Sequence, residues 1–413
     1  MEASAIEVAQ HTLTAFVVIL AVGAACSSLA GKLKIPDIVL FLLAGMGLGG
    51  AGLGLLDISA DSAVNQAILL FGASYLLFEG GASLRLSVLS RVWISIVVIS
   101  TLGVLITGGI VAASAYWILG VPVMVALLLG ATIASTDPAT LVPIFKQVPI
   151  RDRVAQTVMS ESAFNDAMGA IATFTILGLA LNGGEFSPAT AGIELLYKAG
   201  VGTLVGLSLG VVLVFLVSPQ RMGVAQGQVP LLKLAAVLGA FLLAEHFHAS
   251  GFMAVFVVGV VVGNRDAIRA DFHHDDDHHL DHSMHLFALL LRTFIFLLLG
   301  SQVDFALMDK YLVGGALVVA IFMLVARPLT VFICCGLDQR AKWSRNELLF
   351  MCWTRETGVI PAALVGMLAG MGAPGIDVIA SVTFIAILMT ILIQATTTPF
   401  VARKLGLLLE QEK

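Results

Sequence analysis

Three acidic residues, Asp137, Glu161 and Asp166, lie within two otherwise apolar stretches of the chain. A charged side chain at bilayer depth costs about 2.5–3.5 kcal/mol even on the lenient insertion scale, so such residues usually serve a function. Asp137 precedes Pro138, and a proline inside a helix removes a backbone hydrogen bond and clashes with the preceding turn. A broken helix beside a helix that carries carboxylates is typical of ion-coupled transporters.

The residues around these carboxylates could form an ion site made only of oxygen ligands. Ser162 and Asp166 are four residues apart, so they share one face of a helix. Thr136 offers a hydroxyl and a carbonyl, Ser162 a hydroxyl and Asp166 a carboxylate, a set that suits a hard monovalent cation. Because the Asp166 carboxylate can hold a proton instead, competition between the cation and the proton would by itself produce exchange.

Other charged residues complete the predicted centre. Asp137 is placed to neutralise the positive end of a half-helix, although capping the broken helix could be its whole role. The stretch 353–361 contains Arg355 and Glu356 and is a second charged, broken segment. We expect Arg355 to pair with Glu161, because an unpaired arginine at that depth would be very costly. We expect Arg327 to snorkel towards the cytoplasmic interface.

The composition defines a multi-span membrane protein. The 413 residues are 59% hydrophobic and 12% charged, and the mean hydropathy is +1.00. Average soluble domains carry about 25% charged residues, which excludes a soluble fold. The four cysteines lie in apolar segments without the spacing of metal ligands, so we expect free thiols, no metal and no cofactor.

A membrane span needs about 20 apolar residues, and the chain divides into thirteen candidates. Seventeen of the twenty-two Lys and Arg residues then share one side and two lie on the other. This bias places the N-terminus outside and the C-terminus in the cytoplasm. Because nine residues follow Lys404, we expect no appended soluble domain. The predicted spans are 11–31, 36–55, 65–84, 92–118, 121–146, 153–181, 192–217, 229–247, 250–264, 284–302, 311–336, 347–371 and 375–402.

The spans contain a faint internal repeat. Segment 38–49 resembles segment 252–263, and segment 75–81 resembles segment 294–300. The similar segments are seven predicted spans apart in both cases. An odd separation means that the two copies cross the membrane in opposite directions, as in the inverted repeats of many secondary transporters. We therefore expect an all-α polytopic membrane protein with two inverted six-helix repeats, in which the broken helices 5 and 12 cross. The predicted segments are repeat one at 11–181, a connector helix at 192–217 and repeat two at 229–402.

The segment between predicted spans 9 and 10 lies on the cytoplasmic side and holds six of the nine histidines. A solvated linker between two bundles would explain it. A pH sensor is the alternative, because histidine titrates near neutrality and nearby carboxylates raise its pKa. The spacing matches no defined transition-metal site. The six residues are His273, His274, His278, His279, His282 and His285.

Two ordered motifs carry a resemblance to a known family, that of the NhaP-type sodium/proton antiporters. These are bacterial and archaeal relatives of the animal sodium/proton exchangers. The resemblance extends over the whole membrane domain. It implies thirteen helices, a homodimer, a six-helix core domain that moves against a dimerisation domain, and no chemical catalysis. The motifs are Thr136-Asp137-Pro138 and Glu161-Ser162-x-x-Asn165-Asp166, supported by Ile35 to Gly45 and Phe78 to Gly81.

The resemblance also implies residue roles. It makes Asp166 the carboxylate that binds the cation and the proton, with Thr136 and Ser162 as co-ligands. It pairs Glu161 with Arg355.

Two positions bear on charge and selectivity. The pair Asn165–Asp166 resembles the electroneutral branch of the family, whereas electrogenic relatives carry two adjacent aspartates. Where the family usually has Gly-Leu-Arg-Gly, this chain has segment 354–358, which adds Glu356. Glu356 could compete for Arg355 and alter ion selectivity.

The favoured function is therefore exchange of a monovalent cation for protons, with sodium ahead of lithium and potassium. A K⁺/H⁺ antiporter is the first alternative. A cation channel would conduct ions without coupling to protons. An intramembrane aspartyl protease would use Asp137 and Asp166 as its dyad, but here these residues follow Thr136 and Asn165 rather than the expected Tyr-Asp and Gly-x-Gly-Asp.

Overall fold

The chain folds into helices almost throughout. The computed structural model describes residues 5–33, 35–86, 92–136, 150–181, 188–218, 228–268 and 274–408. Two π-helical turns, Phe322–Ala326 and Thr390–Ala395, each lie within a longer helical segment. The helices within these residues are α1 (Ala5–Leu33), α2 (Asp37–Leu48), α3 (Ala63–Ala82), α4 (Trp93–Leu119), α5 (Val123–Ile133), α6 (Asp152–Leu181), α7 (Pro188–Val217), α8 (Val229–His246), α9 (Gly251–Gly263), α10 (His274–Ser301), α11 (Phe305–Ile321), α12 (Arg327–Gly336), α13 (Arg345–Trp353), α14 (Val359–Gly370), α15 (Ile376–Met389) and α16 (Thr396–Lys404).

The helices have the length and composition of membrane spans. In the described part of the chain, seven helical segments are long and apolar enough to cross a membrane, counting α11–α12 and α15–α16 as continuous segments. Shorter apolar helices are α2, α5, α9, the end of α10, and α14. The protein is an all-α polytopic membrane protein, as the sequence predicts. The number thirteen and the inverted repeat remain predictions.

The helices pack into two bundles, which we call the first and the second bundle. The first contains α1, α2, α3, α7, α8, α9 and α10, and the second contains α4, α5, α6 and α11 to α16. They meet where α6 packs on α3, α7 and α9, and where α14 packs on α3 and α10. Each bundle draws helices from both halves of the sequence, so the chain crosses between them several times.

Glycines bring two helix pairs of the first bundle into close contact. A Cβ atom on Gly45 of α2 or on Gly300 of α10 would collide with the backbone of the other helix. The same holds for Gly81 of α3 and Gly259 of α9. Small residues at such positions let helices approach closely in lipid, where packing drives association. In the predicted repeat, α2 corresponds to α9 and α3 corresponds to α10. The α2–α10 contact would then be the counterpart of the α9–α3 contact.

The predicted break in segment 353–361 is confirmed. Helix α13 ends at Trp353, α14 begins at Val359, and the residues between them are not helical. The other break is only partly visible: α5 ends at Ile133, and residues 137–149, with Asp137, lie outside the described part of the chain.

The histidine-rich segment is helical for most of its length, and its role as a linker or a pH sensor stays a prediction. Helix α10 begins at His274, so His278, His279, His282 and His285 also fall within a helix, and His273 lies outside the described residues.

Candidate functional site

The end of α5 and the middle of α6 are joined by a closed set of hydrogen bonds. The Ser162 hydroxyl donates to the carbonyl of Thr136 at 2.7 Å and accepts from the Thr136 hydroxyl at 2.9 Å. The Asn165 side-chain amide donates to the Thr136 hydroxyl at 2.9 Å, and its oxygen accepts from the Thr136 backbone N–H at 3.1 Å. All three residues are buried. The structure therefore brings together the two predicted motifs through an entirely polar contact.

Asp166 lies directly beside this contact. It follows Asn165 in α6, shares a helix face with Ser162, and is 5% exposed. Glu161, one turn earlier in α6, is 2% exposed. Such burial of two carboxylates requires partners, because desolvation of an unpaired charge is very costly.

Glu161 is paired with Arg327 rather than with Arg355, so the sequence-based pairing is wrong. The Arg327 guanidinium donates to both oxygens of Glu161, with 2.8 Å between Nη2 and Oε2. Its Nε donates to the carbonyl of Met351 at 2.9 Å. Arg327 is 1% exposed, at the first residue of α12 after the π turn. It faces α6 and α13 instead of snorkelling to the membrane surface.

Arg355 has a different position. It lies in the break between α13 and α14 and donates to the carbonyl of Ala134, the residue that caps the end of α5. Its guanidinium stacks on the Phe322 ring, with 5.0 Å between the guanidinium carbon and the ring centroid.

The two arginines therefore serve the same purpose at two helix ends. Arg355 satisfies a carbonyl at the end of α5, and Arg327 satisfies carbonyls at the end of α13. The C-terminal end of a helix carries partial negative charge and unsatisfied carbonyls, and a cation there is stabilising. Both half-helices can thus end inside the membrane domain.

The non-helical segment between α13 and α14 also contains an acidic residue, Glu356. Glu356 is fully buried between α13 and α14. The next residue, Thr357, donates its backbone N–H to the Thr390 hydroxyl at 3.0 Å, which connects the break to the second π turn.

The groups at this centre are of the kinds that can bind an ion. Carboxylate, hydroxyl and carbonyl oxygens suit a hard cation, and a buried carboxylate can hold a proton in its place. Among the residues that the structure describes, no group of three or more His, Cys, Asp or Glu side chains is arranged to hold a metal ion. The arrangement presents a buried carboxylate beside a broken helix, in a bundle that packs against a second bundle.

Fold and site together define a polytopic membrane transporter. Residues 16–404 match the family model described as "Sodium/hydrogen exchanger, transmembrane", so the chain belongs to the sodium/hydrogen exchanger family.

Individual relatives agree with this assignment. The chain is 34% identical over 420 residues to Na⁺/H⁺ antiporter 1 of Methanocaldococcus jannaschii, covering 94% of each protein. It is 27% identical to the K⁺/H⁺ antiporter NhaP of Alkalimonas amylolytica, of whose length it spans 65%. It superimposes on the structure of the sodium proton antiporter MjNhaP1 of M. jannaschii at pH 8 with a TM-score of 0.82 and 30% identity, covering 96% of this chain and 99% of the other.

Proposed function

We propose that this protein exchanges a monovalent cation for a proton across the membrane, with both competing for the Asp166 carboxylate. The observation that carries the proposal is the buried Asp166 beside the Thr136–Ser162–Asn165 contact at the end of α5. Membership of the exchanger family and the antiporter names of similar proteins support it.

In this proposal Thr136 and Ser162 supply further oxygen ligands, and Asn165 holds the Thr136 backbone in place. Asp137, the next residue in the sequence after Thr136, would supply further negative charge. The site is held in place by three charged residues that do not bind the transported ions. Glu161 pairs with Arg327, and Arg327 and Arg355 each bind a carbonyl at a helix end.

Transport requires the site to face each side of the membrane in turn. We propose that the second bundle, which carries the site, moves against the first. Two copies of the chain would form a homodimer through their first bundles in the bacterial plasma membrane. The bias of Lys and Arg along the sequence supports an outer N-terminus and a cytoplasmic C-terminus.

Sodium is the preferred cation, and potassium is the second candidate. The relatives include proteins named for either ion, and Glu356 adds a buried carboxylate near the site. Reconstitution into vesicles carrying a pH-sensitive dye, with Na⁺, Li⁺ or K⁺ added across pH 6 to 9, separates these cases. Alkalinisation or acidification driven by one cation identifies the substrate. Cation movement without any proton movement would indicate a channel and contradict the proposal.

A further inference from the structure

The two bundles touch where the beginning of α3 meets the end of α14. The side-chain amide of Gln66 on α3 donates to the carbonyl oxygen of Gly366 on α14 at 2.9 Å. The same nitrogen donates to the carbonyl of Ala60, within the first bundle, at 2.7 Å. Gln66 therefore spans the boundary between the bundles with a hydrogen bond.

Two glycines make room for this contact. Gly366 and Gly370 are four residues apart on α14, so they present one face to α3. A Cβ atom on Gly370 would collide with the amide of Gln66, and one on Gly366 would collide with Leu69 of α3. A larger residue at either position would displace the Gln66 or Leu69 side chain from its present place.

Gln66 is held from the side of the first bundle. Its neighbour Asn65 donates to the carbonyl of Ala60 at 2.8 Å and accepts a hydrogen bond from Gln302, at the end of α10, at 3.2 Å. The hydroxyl of Ser62 caps the start of α3. The second bundle contributes the Gly366 carbonyl to an amide that is already positioned.

This contact differs in kind from other contacts between the bundles. Phe164 and Phe174 of α6 pack on Phe256 and Phe252 of α9, with ring centroids 4.8 and 5.9 Å apart. Aromatic surfaces can slide while they remain in contact, whereas a hydrogen bond weakens steeply with distance and angle. Relative movement of the bundles would therefore break the Gln66–Gly366 bond early.

We infer that the Gln66–Gly366 hydrogen bond is a latch that stabilises the present arrangement of the bundles and opens once in every transport cycle. The latch presupposes the proposed antiport, because alternating access is what requires the bundles to move. In the proposed orientation α3 begins at the outer side of the membrane. The latch thus closes the outer end, and its release accompanies exposure of Asp166 to the outside.

A reversible cross-link tests this directly. The double variant Gln66→Cys/Gly370→Cys is reconstituted into vesicles, because Gly370 faces the Gln66 side chain. Oxidation, or a short bifunctional thiol reagent, should join the two helices and reduce cation-driven proton flux at least tenfold, and a reductant should restore the flux after oxidation. Each single-cysteine variant, treated identically, is the control for the four native cysteines.

Two results would overturn the latch. One is a verified cross-link with flux equal to that of the reduced protein, since α3 and α14 would then not separate during transport. The other is a folded double variant that neither treatment cross-links, since the residues would then not be in contact. If the wild-type protein itself moves no protons with any alkali cation, the proposed function fails instead.

A second variant probes the bond without a cross-link. Gln66→Leu keeps the size of the side chain but removes the donor, and a lost hydrogen bond corresponds to about a two- to tenfold change in an equilibrium. Amide hydrogen exchange at residues 366–370 should accelerate by that factor. Tyr197→Phe, which removes a hydrogen bond to the Phe247 carbonyl within the first bundle, should leave exchange there unchanged. Equal exchange in wild type and Gln66→Leu would contradict the latch.

Discussion

Glu161 of α6 and Arg327 of α12 form a bidentate ion pair that is almost completely shielded from solvent, at 2% and 1% exposure. The same guanidinium reaches the Met351 carbonyl near the end of α13. One side chain therefore ties together three helices of the second bundle. The helix that carries Asp166 is fixed through this pair to the broken helix.

Removal of Arg327 should destabilise the protein severely. Arg327→Gln leaves the Glu161 carboxylate buried without its partner, and breaking a buried pair on one side costs about 3–5 kcal/mol. The double variant Glu161→Gln/Arg327→Gln removes both charges and should recover much of that loss. Thermal unfolding of detergent-solubilised protein gives the ranking.

The Arg292–Glu79 pair in the first bundle is the matched control. Its atoms are 3.3 Å apart and its side chains are 27% and 16% exposed. Arg292→Gln should therefore cost clearly less than Arg327→Gln. Equal losses, or a double variant no more stable than Arg327→Gln, would mean that the buried pair does not hold the bundle together.

The sequence predicts some contacts at the site correctly and others wrongly, and Arg327 shows why. The contact of Thr136 with Ser162 and the break after Trp353 follow from local signals: polar residues in apolar segments and helix-breaking residues. The partner of Glu161 depends on which face α12 turns towards α6, and only the packed bundle decides that. One feature of the sequence did indicate that Arg327 is buried. It lies nine residues before Gly336, which is about 13 Å from the helix end at 1.5 Å per residue. An arginine at that depth cannot easily snorkel to the membrane surface.

Asp338, in the loop between α12 and α13, should make stability depend on pH. It accepts hydrogen bonds from the Ser95 hydroxyl at 2.7 Å and from the backbone amides of Ser95, Arg340 and Ala341 at 3.0–3.2 Å. Burial raises the pKa of this carboxyl, but these hydrogen bonds outweigh burial and hold the pKa below its ordinary value. A carboxylate with a lowered folded-state pKa stabilises the protein above its unfolded pKa, about 3.9, and the contribution is lost as the pH falls further.

The variant Asp338→Asn should therefore melt at a lower temperature than wild type at pH 7, with the difference shrinking below about pH 4. Thermal unfolding across pH 3 to 8 measures this. A constant difference across that range would show that the ionised form of Asp338 is not what the loop stabilises.

Exchange should be electroneutral, one cation for one proton. Asn165 is neutral, and its amide is already bonded to Thr136. Only Asp166 therefore needs to exchange a bound cation for a proton during the cycle. Vesicle exchange is measured with the membrane potential clamped at zero and with the potential left free. A rate that follows the imposed potential would show that a second group, such as Glu356 or Asp137, also carries protons.

The histidine-rich segment should tune the pH response without being required for transport. Histidine ordinarily titrates near pH 6.5, so a segment with six histidines is expected to change its net charge between about pH 5 and 8. Replacement of His273, His274, His278, His279, His282 and His285 with Gln should shift the pH midpoint of exchange and preserve its maximum. An unchanged pH profile would leave the segment only a structural role, and loss of the maximum in a folded variant would give it a larger one.

The most direct test of the central claim is cation-driven proton flux in Asp166→Asn. This variant keeps the shape of the side chain but can neither bind a cation through a carboxylate nor carry a proton. We expect flux at the level of empty vesicles, from protein that elutes and melts like wild type. Asp377→Asn, the same change at an exposed carboxylate in the first turn of α15, should exchange normally. Flux near the wild-type level in Asp166→Asn would contradict the assignment of Asp166 as the shared site for cation and proton.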